Sequence, residues 1–215
     1  MTSIAIIDYG MGNLHSIAKA LEHVAGKARV IVSSQHKQIL AADRVVFPGV
    51  GAIRGCMVEL KRSGLDEIVV QAAATKPLFG VCLGMQALLD LSEENQGTEC
   101  LGIIPGKVVR FSGELQNGAG GDRLKIPHMG WNQVQQQVGH TLWRDIPDAS
   151  RFYFVHSYYA VPERTEDIAA TTPYGLDFAS VLVRGNIFAV QFHPEKSQHA
   201  GLQLLSNFVH WDGDS

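Results

Sequence analysis

A cysteine stands between two glycines in Gly80-Val81-Cys82-Leu83-Gly84, after an apolar run at residues 77–81 and before a helix-suited run at residues 83–91. This is the pattern of a nucleophile mounted on a sharp strand-to-helix turn, with cysteine in place of serine. Flanking glycines keep side chains away from such a turn. The helix N-terminus stabilises a thiolate, and the backbone N–H of Leu83 is aimed at a developing oxyanion. A cysteine between a strand and a helix is ordinarily a small packed hydrophobe; two glycines at this spacing favour the nucleophile. Cys56 and Cys100 have no such setting and read as structural.

A cysteine nucleophile needs a base, and the base needs an acceptor to orient it. Phe192-His193-Pro194-Glu195 offers both at the end of the last apolar run. On an extended segment, residues two apart project the same way, and Pro194 restricts the backbone between them. Taken alone, His-Pro-Glu also fits an exposed turn. A metal site built from His193, Glu195 and His199 matches no common ligand spacing. Tyr9-Gly10-Met11-Gly12 resembles the start of a dinucleotide fingerprint, but His15 stands where the third glycine belongs. It reads as a turn packed closely on a sheet.

These groups need a frame. Residues 4–7, 30–32, 44–47 and 77–81 read as short buried strands. Between them, Leu14, Ile17, Ala18 and Leu21 mark one helical face, with Asn13 as its cap. Met57, Val58 and Leu60 mark a second helix, and Leu65, Ile68, Val69 and Ala72 a third. Strand–helix alternation predicts an α/β fold, a doubly wound, mainly parallel sheet with flanking helices. Such sheets bind ligands at the carboxyl ends of their strands, where Pro48-Gly49-Val50-Gly51 and Cys82 both fall. Residues 108–111, 131–134, 152–155, 178–183 and 187–192 read as strands without long helices between them, hence as antiparallel additions. Pro127-His128-Met129-Gly130-Trp131-Asn132 is punctuated like a loop. Residues 113–121 are glycine-rich and read as a mobile loop. A last helix is predicted from about Ser197, its cap, through Leu202, Leu205 and Phe208.

The chain has 215 residues, 46% hydrophobic and 18% charged, which predicts one globular domain over residues 1–215. A net charge of -3 without a basic stripe argues against nucleic acid. No run reaches the roughly 18 apolar residues of a membrane span, and the first residues lack signal-peptide character. Three widely spaced cysteines predict a reducing compartment, the cytoplasm.

Taken together, Pro48-Gly49-Val50-Gly51, Gly80-Val81-Cys82-Leu83-Gly84-Met85-Gln86 and His193-Pro194-Glu195 resemble the class I, triad-type glutamine amidotransferases. Asp8-Tyr9-Gly10-Met11-Gly12-Asn13-Leu14, the 127–132 run, His156-Ser157-Tyr158 and Lys196-Ser197 are similar to the branch of glutaminase subunits of imidazole glycerol phosphate synthases. The resemblance covers essentially the whole chain. It implies a Cys82–His193–Glu195 triad and an oxyanion hole from backbone N–H groups of Leu83 and the Val50-Gly51 turn. Gln86, His156, Ser157 and Tyr158 would hold glutamine. Ammonia would pass to a cyclase subunit in a heterodimer serving histidine biosynthesis, across a face including Asn13, Met129, Trp131 and Lys196. No cofactor or metal is implied. Two features depart from the pattern: a longer, glycine-rich segment at residues 112–123, and Ile53-Arg54 after the oxyanion turn.

Other functions stay open on the residues alone. A related glutaminase could feed a different synthase, such as a sugar-amidating enzyme of polysaccharide synthesis. A lone cysteine hydrolase or a catalytically silent regulator would use the same frame.

Overall fold

The computed structural model describes residues 2–112, 115, 121 and 123–214. Most of the glycine-rich 113–121 segment therefore lies outside the described residues.

Aliphatic and β-branched runs build a parallel centre. Strand β1 (Ser3–Ile7) lies between β2 (Arg29–Ser33) and β3 (Arg44–Gly49), and β3 pairs with β4 (Leu78–Cys82), all parallel. Alternate side chains leave opposite faces. Ile4 and Ile6 of β1, Val46 of β3 and Phe79 of β4 join one buried cluster, whereas Ala5, Ile7, Val45, Phe47 and Leu78 join the other. The first face is covered by α1 (Leu14–Val24) through Ile17, Ala18 and Leu21. The second is covered by α2 (His36–Ala41), α3 (Ile53–Ser63) and α4 (Leu65–Thr75), with Ile39, Met57, Leu60, Ile68 and Val69 buried there. Of the three residues that mark α3, Val58 is exposed.

Helix α5 (Leu83–Ala87) follows Cys82 directly and is shorter than the predicted 83–91. The carbonyls of Ala87, Leu88 and Leu89 accept from the N–H groups of Leu101, Ile103, Ile104 and Gly102. A longer helix needs those same acceptors for its own next turn, so the returning chain stops it. The following residues form β5 (Leu91–Ser92) and β6 (Thr98–Glu99).

The second half supplies β7 (Gly106–Arg110), β8 (His128–Gln133), β9 (Gln135–Gln136), β10 (Arg151–His156), β11 (Tyr158–Pro162), β12 (Ile168–Pro173), β13 (Asp177–Arg184) and β14 (Ile187–Val190). The main sheet runs β2-β1-β3-β4-β14-β13-β11-β7-β5-β6, with β12 beside β13 and β9 beside β12. Of the predicted antiparallel additions, β7 and β13 join the main sheet, where they pair with the further strands β11 and β12, and β8 and β10 pair with each other. Strand β14 is the exception. It pairs antiparallel with β13 and parallel with β4, so it completes the parallel centre, and it ends at Val190 rather than residue 192. Residues 128–133, read partly as a loop, form β8 in a separate antiparallel pair with β10. Phe152 and Phe154 of β10 anchor that pair in the first cluster, Phe152 stacking on Phe192 at 4.1 Å.

Helix α6 (Gln198–His210) packs Leu204, Leu205 and Phe208 on the same face of the sheet as α1. Asn13 and Ser197 hold the expected N-cap positions, but neither side chain makes a capping hydrogen bond. Ser197 Oγ instead donates to His193 O at 2.6 Å and accepts from Tyr153 N at 3.0 Å. Among the described residues, no helix is long and apolar enough to cross a membrane.

Candidate active site

Strands β3 and β4 end level with one another, Gly49 opposite Cys82. Cys82 turns there with φ 53° and ψ -107°, a conformation costly for any residue with a Cβ and typical of functional sites. It swings the chain from β4 into α5 within one residue and leaves the side chain at the strand end. The two glycines have specific duties. A Cβ on Gly84 would sit 2.0 Å from Phe47 O, and one on Gly80 would meet Ala189 Cβ at 3.0 Å. Helix α5 thus lies against the backbone of β3. The turn after β3 is held from Tyr9, whose buried hydroxyl donates to Pro48 O at 3.1 Å. Of the Tyr9–Gly12 turn expected to pack closely on the sheet, Tyr9 is buried, whereas Gly10 is exposed and a Cβ on it would meet nothing within 4 Å.

His193 arrives from β14 after two further residues. Its N–H donates to Tyr153 O at 2.9 Å, and its carbonyl is bound by Ser197. Residues Pro194–Lys196 then form a 3-10 turn, not the extended segment expected. Proline has the right φ to start such a turn, and the turn brings Glu195 back onto His193. Nδ1 of His193 lies 2.9 Å from Glu195 Oε1, with both side chains 3% exposed. A Cβ on Gly201 of α6 would stand 2.0 Å from Pro194 O, so α6 clamps this turn from behind.

Nε2 of His193 closes no hydrogen bond of regular geometry; the polar group acting on that ring besides Glu195 is the Cys82 thiol. Burial by itself pulls the imidazole pKa down, but Cys82 and Glu195 outweigh burial and lift it to about 10. Both partners thus favour the protonated ring. A pKa raised above the unfolded value contributes stability that is fully present below pH ~6.5 and is lost as pH rises through the folded value. We expect the His193 ring signals in an NMR titration to stay protonated until about pH 10. In Cys82→Ala and in Glu195→Gln the midpoint should fall, because burial is then less opposed. A midpoint unchanged in both variants would refute the coupling.

Beside Cys82 opens a cavity of about 360 Å³, lined by Val50, Gly51, Leu83, Gln86, Glu94 and His193 together with the 155–158 segment and Pro127. That is adequate for a small polar ligand. Gln86 donates from Nε2 to Tyr158 O at 3.0 Å and to Gln191 Oε1 at 2.9 Å. His156 also contacts Tyr158 O, through Nδ1 at 2.8 Å, and its Nε2 lies 2.9 Å from His128 Nδ1. A carbonyl only accepts, so His156 carries its hydrogen on Nδ1 and accepts from His128. Asn132 Nδ2, 3.3 Å from His128 Nε2, closes the series. Burial pushes His156 down to about 3 and His128 down to about 4, so both rings are neutral. Neutral rings are what a continuous donor-to-acceptor order requires.

Residues 5–211 match the family model described as glutamine amidotransferase class-I. The chain belongs to this family. It is 60% identical over 215 residues to the imidazole glycerol phosphate synthase subunit HisH of Nitrosococcus oceani, covering 100% of both chains. It is also 60% identical to the protein of that name from Methylococcus capsulatus, covering 99% of this chain and 98% of that one. Among solved structures, PurLQS from Thermotoga maritima shares the fold, with a TM-score of 0.72 at 14% identity over 97% of this chain and 98% of that one.

Of the residues singled out from sequence, this class I amidotransferase brings Cys82, His193 and Glu195 together at one end of the cavity. Val50, Gly51, Leu83, Gln86, His156, Ser157 and Tyr158 all line it. Asn13, Met129, Trp131 and Lys196 lie at the surface, with Met129 61% and Trp131 37% exposed. Trp131 packs edge-on to Tyr153 at 6.1 Å, and Lys196 Nζ lies 5.9 Å from the same ring, so these two of the four share one patch. Ile53 and Arg54, the departures noted after the oxyanion turn, face the Glu94–Asn95 turn. Ile53 N donates to Glu94 Oε2 at 2.9 Å, and Arg54 donates to Asn95 O. Cys56 and Cys100 lie away from the cavity lining, and burial pushes their thiols up to about 12 and 11.

Sequence reasoning missed Glu94, His128 and Gln191. Glu94 sits in a charged run that reads as solvated surface. Gln191 did carry a signal, since it is the one polar residue in Ile187-Phe188-Ala189-Val190-Gln191-Phe192. A lone polar side chain inside an apolar run must find a buried partner.

Proposed function

We propose that this chain hydrolyses glutamine through Cys82, His193 and Glu195. In this reading it hands the ammonia to the cyclase subunit of imidazole glycerol phosphate synthase in histidine biosynthesis. The observation that carries the reading is the placement of a strained cysteine and a carboxylate-held histidine together in the wall of one small cavity. The thiolate of Cys82 attacks the side-chain carbonyl carbon of glutamine. Negative charge gathers on the carbonyl oxygen, opposite backbone N–H groups of Leu83 and the Val50-Gly51 turn. His193 gives its proton to the departing nitrogen, and ammonia leaves behind a glutamyl thioester. Water then loses a proton to His193 and attacks the thioester. Glutamate leaves and the thiolate–imidazolium pair is restored. Glu195 holds the ring in orientation throughout.

Gln86, His156, Ser157 and Tyr158 hold glutamine on the far wall. Glu94, the carboxylate on the cavity rim, has the charge to receive its α-ammonium group. Residues 1–215 act as one glutaminase domain, working in the cytoplasm as a heterodimer with the cyclase. The relatives of that printed name, at 60% identity over the full chain, support the choice of synthase over a sugar-amidating partner.

The test is ammonia release from glutamine with and without a cyclase subunit and its nucleotide ligand. Release stimulated by the cyclase supports the assignment. No stimulation by the cyclase, with stimulation by another synthase, would move the chain to a different pathway. Trp131→Ala should raise the cyclase concentration needed for half-maximal stimulation by roughly tenfold or more, since an exposed tryptophan at a patch centre is the usual anchor of an interface. An unchanged requirement would remove Trp131 from the interface.

A further inference from the structure

We propose that Gln191 is a further catalytic residue, whose side-chain amide donates a hydrogen bond to Cys82 Sγ and holds the sulfur as its thiolate. The inference rests on the glutaminase reading above. Gln191 is fully buried, directly after β14, with its backbone N–H bound to Ser180 O at 2.9 Å. Its Nε2 lies 3.6 Å from Cys82 Sγ, a normal distance for a sulfur acceptor, and its Oε1 lies 2.9 Å from Gln86 Nε2.

The direction of this contact follows from its neighbours. Tyr158 O can only accept, so the Gln86 end that touches it is the amide nitrogen. That same nitrogen reaches Gln191, which must therefore present its oxygen to Gln86. The NH2 end of Gln191 is left facing the sulfur. One backbone carbonyl thus sets the orientation of two buried amides, and the second ends on the nucleophile.

An N–H donor favours the charged form of an acceptor over its protonated form. His193 cannot supply this throughout, because it gives up its proton when ammonia leaves. Gln191 does not titrate. It supports the sulfur both when the thiolate attacks and when it departs from the thioester. Gln86 acts through Gln191 and is in that respect a positioning residue.

The experiment is the pH dependence of Cys82 alkylation by iodoacetamide in the full chain, read by mass spectrometry of the Cys82 peptide. In this reaction the thiolate displaces iodide and forms a carbon–sulfur bond. Cys56 and Cys100 have thiols pushed up to about 12 and 11, so neutral solutions report on Cys82. In Gln191→Met, which keeps the bulk and loses the donor, we expect the midpoint to rise by about one pH unit, a roughly tenfold slower reaction at any pH below both midpoints. Gln191→Glu, which still accepts from Gln86 but cannot donate as a carboxylate, should move it further. It also carries the test if the Met variant fails to fold. Midpoints within about 0.3 unit of the unsubstituted chain, in folded protein, would overturn the proposal. Alkylation needs neither glutamine nor a partner. A chain that releases no ammonia with any synthase therefore sinks the glutaminase reading, whereas an unmoved midpoint with release intact sinks only the role of Gln191.

Discussion

Cys82→Ala is expected to reduce cyclase-stimulated ammonia release by roughly 10⁴-fold or more, to the background of the assay. In the proposed mechanism the sulfur forms the bond to glutamine, and removing a nucleophile from a triad leaves only binding and oxyanion stabilisation. Folding should survive. Alanine keeps the Cβ of cysteine, so the strain at φ 53° is the same in both proteins, and the site of the lost sulfur borders the cavity. Circular dichroism and cyclase binding should therefore match the unsubstituted chain while turnover vanishes. Retention of more than a few per cent of turnover would mean that another group attacks glutamine.

Gly84→Ala should lower stability strongly. The new methyl would stand 2.0 Å from Phe47 O and 2.9 Å from Phe47 C. Both are backbone atoms of a central strand, so no side chain can rotate aside. Either α5 lifts from β3 or β3 is pushed out of the sheet. Severe overpacking of this kind costs about 3 kcal/mol or more. For a chain of this size that corresponds to a fall of roughly 6–12 °C in Tm. Activity should fall as well, because α5 carries Leu83 and Gln86 and starts at Cys82, and displacements near 1 Å can cost about 10²-fold. Gly139→Ala is the comparison. A Cβ there meets nothing within 4 Å, and its Tm should stay close to that of the unsubstituted chain. Equal melting of the two variants would show that α5 is not held by this contact.

Both experiments concern residues that the sequence already marked, and the reason they could be marked is local. A nucleophile on a strand-to-helix turn needs glycines next to it in the chain, so Gly80, Cys82 and Gly84 announce themselves together. The histidine and its orienting carboxylate are also neighbours in sequence, only two apart. The parallel frame was legible for a similar reason. Strands of a sheet covered on both faces are apolar throughout, and residues 4–7, 45–47 and 77–81 show it. The extent of α5 was not legible, because its last carbonyls are taken by residues 101–104, a return that no local pattern announces. Nor was the parallel pairing of β14 with β4, which joins residues more than a hundred positions apart.

By itself the sequence marked the candidate nucleophile, the proposed base and its orienting acid, and determined the class of sheet that carries them, since each is encoded by residues adjacent in the chain or by the period of an apolar run. Only the tertiary structure decided that Glu195 reaches His193 through a 3-10 turn clamped by Gly201, that Glu94 stands on the cavity rim, and that Gln191 meets the sulfur. Those three depend on distant segments meeting at the carboxyl ends of β3, β4 and β14. Contacts of that kind are set by how strands order themselves in the sheet, a long-range choice that local residue patterns do not carry.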